Sequence, residues 1–145
     1  MSEMLENLDD LRLAFNAIAA VDALAAHIYW WVVLHQPAAM AGLANDTEYR
    51  AKILVPRSHD FQLVFETAKA MKHVRLNRGT PKVGAVDQVV VIEPAWDDFQ
   101  WDDFNWDTAQ VRIEPIEGEP PWTVEGVLTR ALAFLETEMA TLEIP

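Results

Sequence analysis

Two stretches of this chain combine residue types and spacings that could do chemistry. The first is Ala68-Lys69-Ala70-Met71-Lys72-His73-Val74-Arg75-Leu76-Asn77-Arg78. On a helix, Lys69, Lys72, Arg75 and Arg78 fall at successive i,i+3 steps and form one cationic ridge that a polyanion can track. His73 lies within it. Flanking cations are expected to lower its pKa and leave a neutral imidazole as base, with Lys69, Lys72 and Arg78 steadying a phosphate. Metal-free RNA cleavage needs that constellation. A solvated helix end carrying a polar histidine has the same composition, so both readings stand.

The second stretch is WDDFQWDDFNWD, residues 96–107. Trp96, Trp101 and Trp106 recur every five residues, as do Asp97, Asp102 and Asp107, with Asp98 and Asp103 beside them. Five is the period of neither a strand nor a helix. A loop whose rings fold back onto the body is one expectation, because indoles are costly to leave in water. The other is a recognition surface, in which Trp anchors a partner and the aspartates face its Lys or Arg. Such a stretch also imitates the charge spacing of a nucleic acid. Calcium is a poor fit, since the stretch lacks the central Gly and the acid spacing of an EF-hand loop.

Other chemistry finds little support. His27 and His35 are about two helical turns apart, too far to share one ion, and neither they, His59 nor His73 belongs to an HExxH pattern. No nucleophile elbow, phosphate loop or dinucleotide fingerprint occurs, and there are no cysteines. Glu48 and Asp60 are generic acid-base candidates. No metal and no cofactor is expected.

The elements that would position these residues follow from periodicity. Leu5 to His35 reads as one long helix, with Leu8, Leu11, Phe15, Ile18, Val21, Leu24, Ala25, Ile28, Trp31 and Val32 along one stripe. Asn16, Asp22 and His27 punctuate it, and Pro37 ends it. A second helix is expected from Asp46 to Leu54, limited by Pro56. Ser58 caps a third helix, which Gly79 and Pro81 stop. Val83 to Glu93 and Gln110 to Glu114 suit paired strands. Glu117 to Pro121 reads as a turn. Thr123 caps a last helix to about Leu142. The expected fold is mainly α, a single domain over 1–145. Its helical part is 5–80, a β-hairpin carrying the acidic Trp-rich insertion spans 83–116, and the closing helix is 123–142.

Charge narrows the function classes. The net charge is −12, which argues against direct nucleic-acid binding and against docking on an anionic membrane. Residues 1–49 hold seven acids and one base, residues 50–82 eight bases and two acids, and residues 83–145 fourteen acids and two bases. The basic middle is expected to pack beside the acidic hairpin. The longest apolar tract, Ala23 to Leu34, is interrupted by His27, and the acidic start does not resemble a signal peptide. A cytoplasmic location is expected.

The pattern around Ala68 or Ala70, Lys72-His73, Leu76 and Arg78 resembles a group of uncharacterised small bacterial helical proteins reading A-x-x-K-H-x-x-L-x-R. Residues 5–80 also resemble, distantly, HEPN-type domains of defence and toxin systems. That resemblance implies a helical ribonuclease, or an inactive relative, using His73 as base. The Arg of the HEPN motif is missing here, because the positions five to seven before His73 are Ala68, Thr67 and Glu66. The leading expectation is therefore a non-catalytic interaction domain, from a mobile-element or defence context, that meets a basic or nucleic-acid-binding protein through Trp96, Asp97, Asp98, Trp101, Asp102, Asp103, Trp106 and Asp107. A homodimer through the Ala-rich first helix is a third expectation.

Overall fold

The computed structural model describes residues 2–73, 83, 85–92, 110–114 and 121–145. Three long helices carry the fold: α1 (Ser2–His35), α3 (His59–His73) and α4 (Val124–Thr141), with a single turn, α2 (Asp46–Glu48), between the first two. Strands β1 (Val89–Ile92), β2 (Gln110–Ile113) and β3 (Trp122–Thr123) form an antiparallel sheet in the order β1-β2-β3. This is the helical bundle with a β-hairpin between the third and last helices that the periodicity predicts.

The caps sit where the sequence places them. Ser58 Oγ accepts from Phe61 N–H at 3.1 Å, and Thr123 Oγ1 accepts from Gly126 N–H at 3.2 Å, each satisfying an orphan donor of a first turn. Thr123 also belongs to β3, a two-residue strand just after the expected Glu117–Pro121 turn that the sequence reading did not include. Its register, Arg112 opposite Thr123 and Ile113 opposite Trp122, ties the start of α4 to the hairpin.

The second helix differs from expectation. Only Asp46–Glu48 is α-helical; Tyr49–Leu54 winds as a π-helix and Val55–Arg57 as a 3-10 turn. Pro56 has no N–H to offer the carbonyl of Lys52, and its ring crowds that carbonyl. The winding loosens upstream, and Val55 N–H donates instead to Arg50 O, five residues back.

Two apolar clusters fill the bundle. Near the sheet, Ala14 and Ile18 of α1 meet Leu63, Val64 and Ala68 of α3, Val127 and Ala131 of α4, and Val89 and Ile113 of the hairpin. At the other end, Ala25, Ile28, Tyr29 and Val32 of α1 pack with Tyr49, Leu54, Phe61, Phe65 and Leu135. Glu66, buried on α3, accepts from Val83 N–H at 3.0 Å through Oε2 and so fixes the chain as it approaches the hairpin.

α1 is long and apolar enough to cross a bilayer by length and composition, with a mean hydropathy of 1.7 in an 18-residue window of Asp10–His35. A third of that window is buried in the protein.

Candidate functional site

Among the described residues, the most distinctive polar arrangement lies where α1, the Asp46–Leu54 segment and α3 meet. The π winding turns Arg50 inward, beneath α1. Its Nη1 donates to Asp22 Oδ2 at 2.6 Å and its Nη2 to Asp46 Oδ2 at 3.2 Å, while its guanidinium sits 5.5 Å from the centre of the Phe65 ring. Both Asp22 and Arg50 are buried. Asp22 Oδ1 has no hydrogen-bond partner. Burial pushes the Asp22 carboxyl above its usual range, against the opposing hydrogen bond and charge of Arg50.

A cleft of about 400 Å³ opens over this pair. Ala19, Ala23 and Ala26 of α1 form one wall, Ala68 and Met71 of α3 the other, and Lys72 stands at the site with Asp46. Small side chains make the space; the ion pair makes its floor polar. The sequence signal was Asp22 itself, an acid inside an apolar helical stripe. Its partner lies 28 residues away and was not legible from spacing.

A second buried carboxylate, Glu138 of α4, accepts from Arg57 Nη2 at 2.5 Å and from the Tyr49 hydroxyl at 3.5 Å. Burial, then the Glu138 charge, pushes the Tyr49 hydroxyl far up, so it stays protonated and donates. These contacts tie Tyr49 of the π-helix, and Arg57 just beyond it, to α4.

Three of the eight bases of the middle segment are thus taken up by helix acids. Arg50 pairs with Asp22 and Asp46, Lys52 with Glu48 at 3.1 Å, and Arg57 with Glu138. The expected neutralisation of residues 50–82 by the hairpin is replaced, for these three bases, by pairing inside the bundle. Glu48 and Asp60 are likewise engaged, Glu48 with Ala44 N–H and Lys52, Asp60 with Arg130 at 2.9 Å. The Ala44 N–H, followed by Lys52, lowers the Glu48 pKa.

Of the proposed anion ridge, Lys69, Lys72 and His73 are exposed on the last turns of α3, with Lys69 Nζ 5.8 Å from the centre of the Phe65 ring. Arg75 and Arg78 lie outside the described residues. So do Trp96, Asp97, Asp98, Trp101, Asp102, Asp103, Trp106 and Asp107. The described strands nevertheless fix where that stretch is attached. Ile92 pairs with Gln110, so residues 93–109 leave and rejoin the sheet at one end of the hairpin.

His27 is exposed, His35 stacks on Trp31 at 4.2 Å between ring centres, and the His59 ring lies 5.1 Å from that of Trp122. No group of three or more His, Asp or Glu among the described residues is arranged to hold a metal ion. Comparison of the chain with family models, with curated proteins and with solved structures gives no match.

Proposed function

We propose that the chain is a non-catalytic interaction domain, of the kind mobile elements and defence loci encode. The acidic, Trp-rich connection of its hairpin engages a basic protein partner. The observation that carries this reading is the division of charge. The bundle pairs Arg50, Lys52, Arg57 and Arg130 with its own carboxylates. Residues 93–109 hold six acids and no base, and both their ends are anchored on a paired sheet. A paired sheet that carries a concentrated set of carboxylates and indoles suits recognition of Lys- and Arg-rich surfaces.

A synthetic Arg-rich peptide tests it. The wild type should bind, with indole fluorescence as readout. Trp101→Ala with Trp106→Ala should weaken binding by roughly 10- to 100-fold while leaving the helical circular dichroism unchanged. Binding that ignores the double substitution would refute the reading.

The alternative is metal-independent RNA cleavage or an inactive relative of such an enzyme. It draws on the shared exposure of Lys69, Lys72 and His73 at the end of α3. RNA left intact by the wild type removes active cleavage; cleavage lost in His73→Ala would replace the interaction reading.

A further inference from the structure

The buried side of α1 is accounted for by the two apolar clusters; its outer side is not. Leu13, Asn16, Ala20, Ala23, His27 and Trp30 are all exposed and follow one another at steps of three and four. Leu34 continues the row. Leu13 is 61% exposed, Trp30 49% and Leu34 79%. This is the alternation of a coiled-coil seam, laid along a helix whose opposite stripe is already packed. Large apolar side chains in such a row are not the scattered surface residues that need no explanation.

We infer that this face of α1 is the seam of an antiparallel two-fold dimer formed with a second copy of the same chain. Charge and register identify the occupant. From residue 12 to residue 35 the sole acid is Asp22, and it is buried, in a chain carrying 23 acids and a net charge of −12. The seam offers a basic partner no carboxylate to pair with. It is also a place where two strongly acidic molecules can meet without opposing carboxylates.

In an antiparallel pair, the two alternating positions of one helix face each other across the axis. Centring the two-fold between Ala20 and Ala23 sets Leu13 opposite Trp30, Asn16 opposite His27 and Ala20 opposite Ala23. Between Leu13 and Trp30 apolar meets apolar, polar meets polar, and small meets small at the centre, where the backbones approach most closely; Leu34 lies beyond this seam, opposite position 9, an Asp. The isologous symmetry repeats each pair on the other side of the axis.

A seam from Leu13 to Trp30 is about 27 Å long and about 10 Å wide. Its footprint of roughly 300 Å² per chain, about 600 Å² in all, falls below the range of stable complexes, so the dimer is weak and reversible and forms only at high protein concentration. Its salt response follows from the charges. Salt screens the repulsion between the two molecules and breaks no seam ion pair, so dimerisation strengthens as salt is added.

The chain's lack of cysteine makes the test direct. Light scattering from about 1 µM to about 1 mM should show the mass rising from monomer to dimer. Ala20→Glu, an exposed substitution, should weaken the dimer by about 100-fold or more, with the helical signal retained. Leu13→Cys and Trp30→Cys chains, mixed and oxidised, should form a disulfide heterodimer. Neither variant alone should cross-link, because like positions lie about 25 Å apart in this register. A monomer at every concentration overturns the inference. So do self-cross-linking of either single variant, which marks a parallel pair, and capture of the monomer by phosphatidylcholine vesicles in place of dimerisation.

Discussion

The Asp22–Arg50 pair should respond very differently to loss of one partner and of the other. Arg50→Ala removes the guanidinium and leaves the Asp22 carboxyl buried with neither oxygen hydrogen-bonded, since Oδ1 has no partner and Oδ2 is held by Arg50. Breaking a buried pair this way costs about 3–5 kcal/mol. For a domain of this size that is a fall of roughly 10–15 °C in Tm. Asp22→Asn keeps an oxygen for Arg50, which also retains Asp46, and replaces a carboxylate whose burial outweighs its pairing. Its cost should stay within about 1 kcal/mol. The pH dependence separates the two further. Because the folded-state pKa of Asp22 lies above its usual value of 3.8, the folded protein takes up a proton there before the unfolded chain does. This carboxylate is therefore a burden at neutral pH that is relieved as pH falls through the folded pKa toward 3.8. Urea unfolding of both variants at pH 7 and near pH 4.5 measures the effect. Asp22→Asn should compare best with wild type at pH 7 and lose that standing as pH drops. Equal losses for the two variants at pH 7, or an Asp22→Asn deficit that shrinks on acidification, would refute the reasoning.

Two further substitutions test the contacts that position the π-helix and α4. Glu138→Ala removes the acceptor of both Arg57 and Tyr49 and should cost about 2–3 kcal/mol in the same unfolding assay, with local amide exchange in Tyr49–Leu54 accelerated. Gly126→Ala normally favours a helix, but here the added Cβ would lie 2.9 Å from Thr123 Oγ1, the atom that caps α4. The cap should give way, so a net loss of about 0.5–1 kcal/mol replaces the usual gain.

The long helices, their caps and the hairpin strands were legible because each is written locally. A stripe at three- and four-residue steps marks α1, hydroxyls at Ser58 and Thr123 mark helix starts, and β-branched runs mark β1 and β2. The sequence reading stopped where structure depends on distant partners. A helix was expected to run unbroken from Asp46 to Leu54, and the π winding that replaces most of it reflects Pro56 downstream together with Arg50 turning toward Asp22. β3 is two residues long and exists through its register with Arg112 and Ile113, which no local pattern encodes. The same limit applies to charge. Counting by segment showed a basic middle, but only the fold shows that Arg50, Lys52 and Arg57 are matched by α1, α2 and α4. The alanine-rich α1 did suggest a homodimer, but the face that would carry it was not legible, for a different reason. Its heptad-like row is interleaved with the buried stripe, and alanines dilute both.

The proposed recognition of a basic partner is tested most directly by titrating the Arg-rich peptide into the protein at about 50 mM and about 500 mM salt, with the Ala20→Glu variant run alongside. If the hairpin carboxylates carry binding, affinity falls steeply at the higher salt. It should do so equally in Ala20→Glu, which leaves residues 93–109 untouched. Affinity that is indifferent to salt would contradict the account.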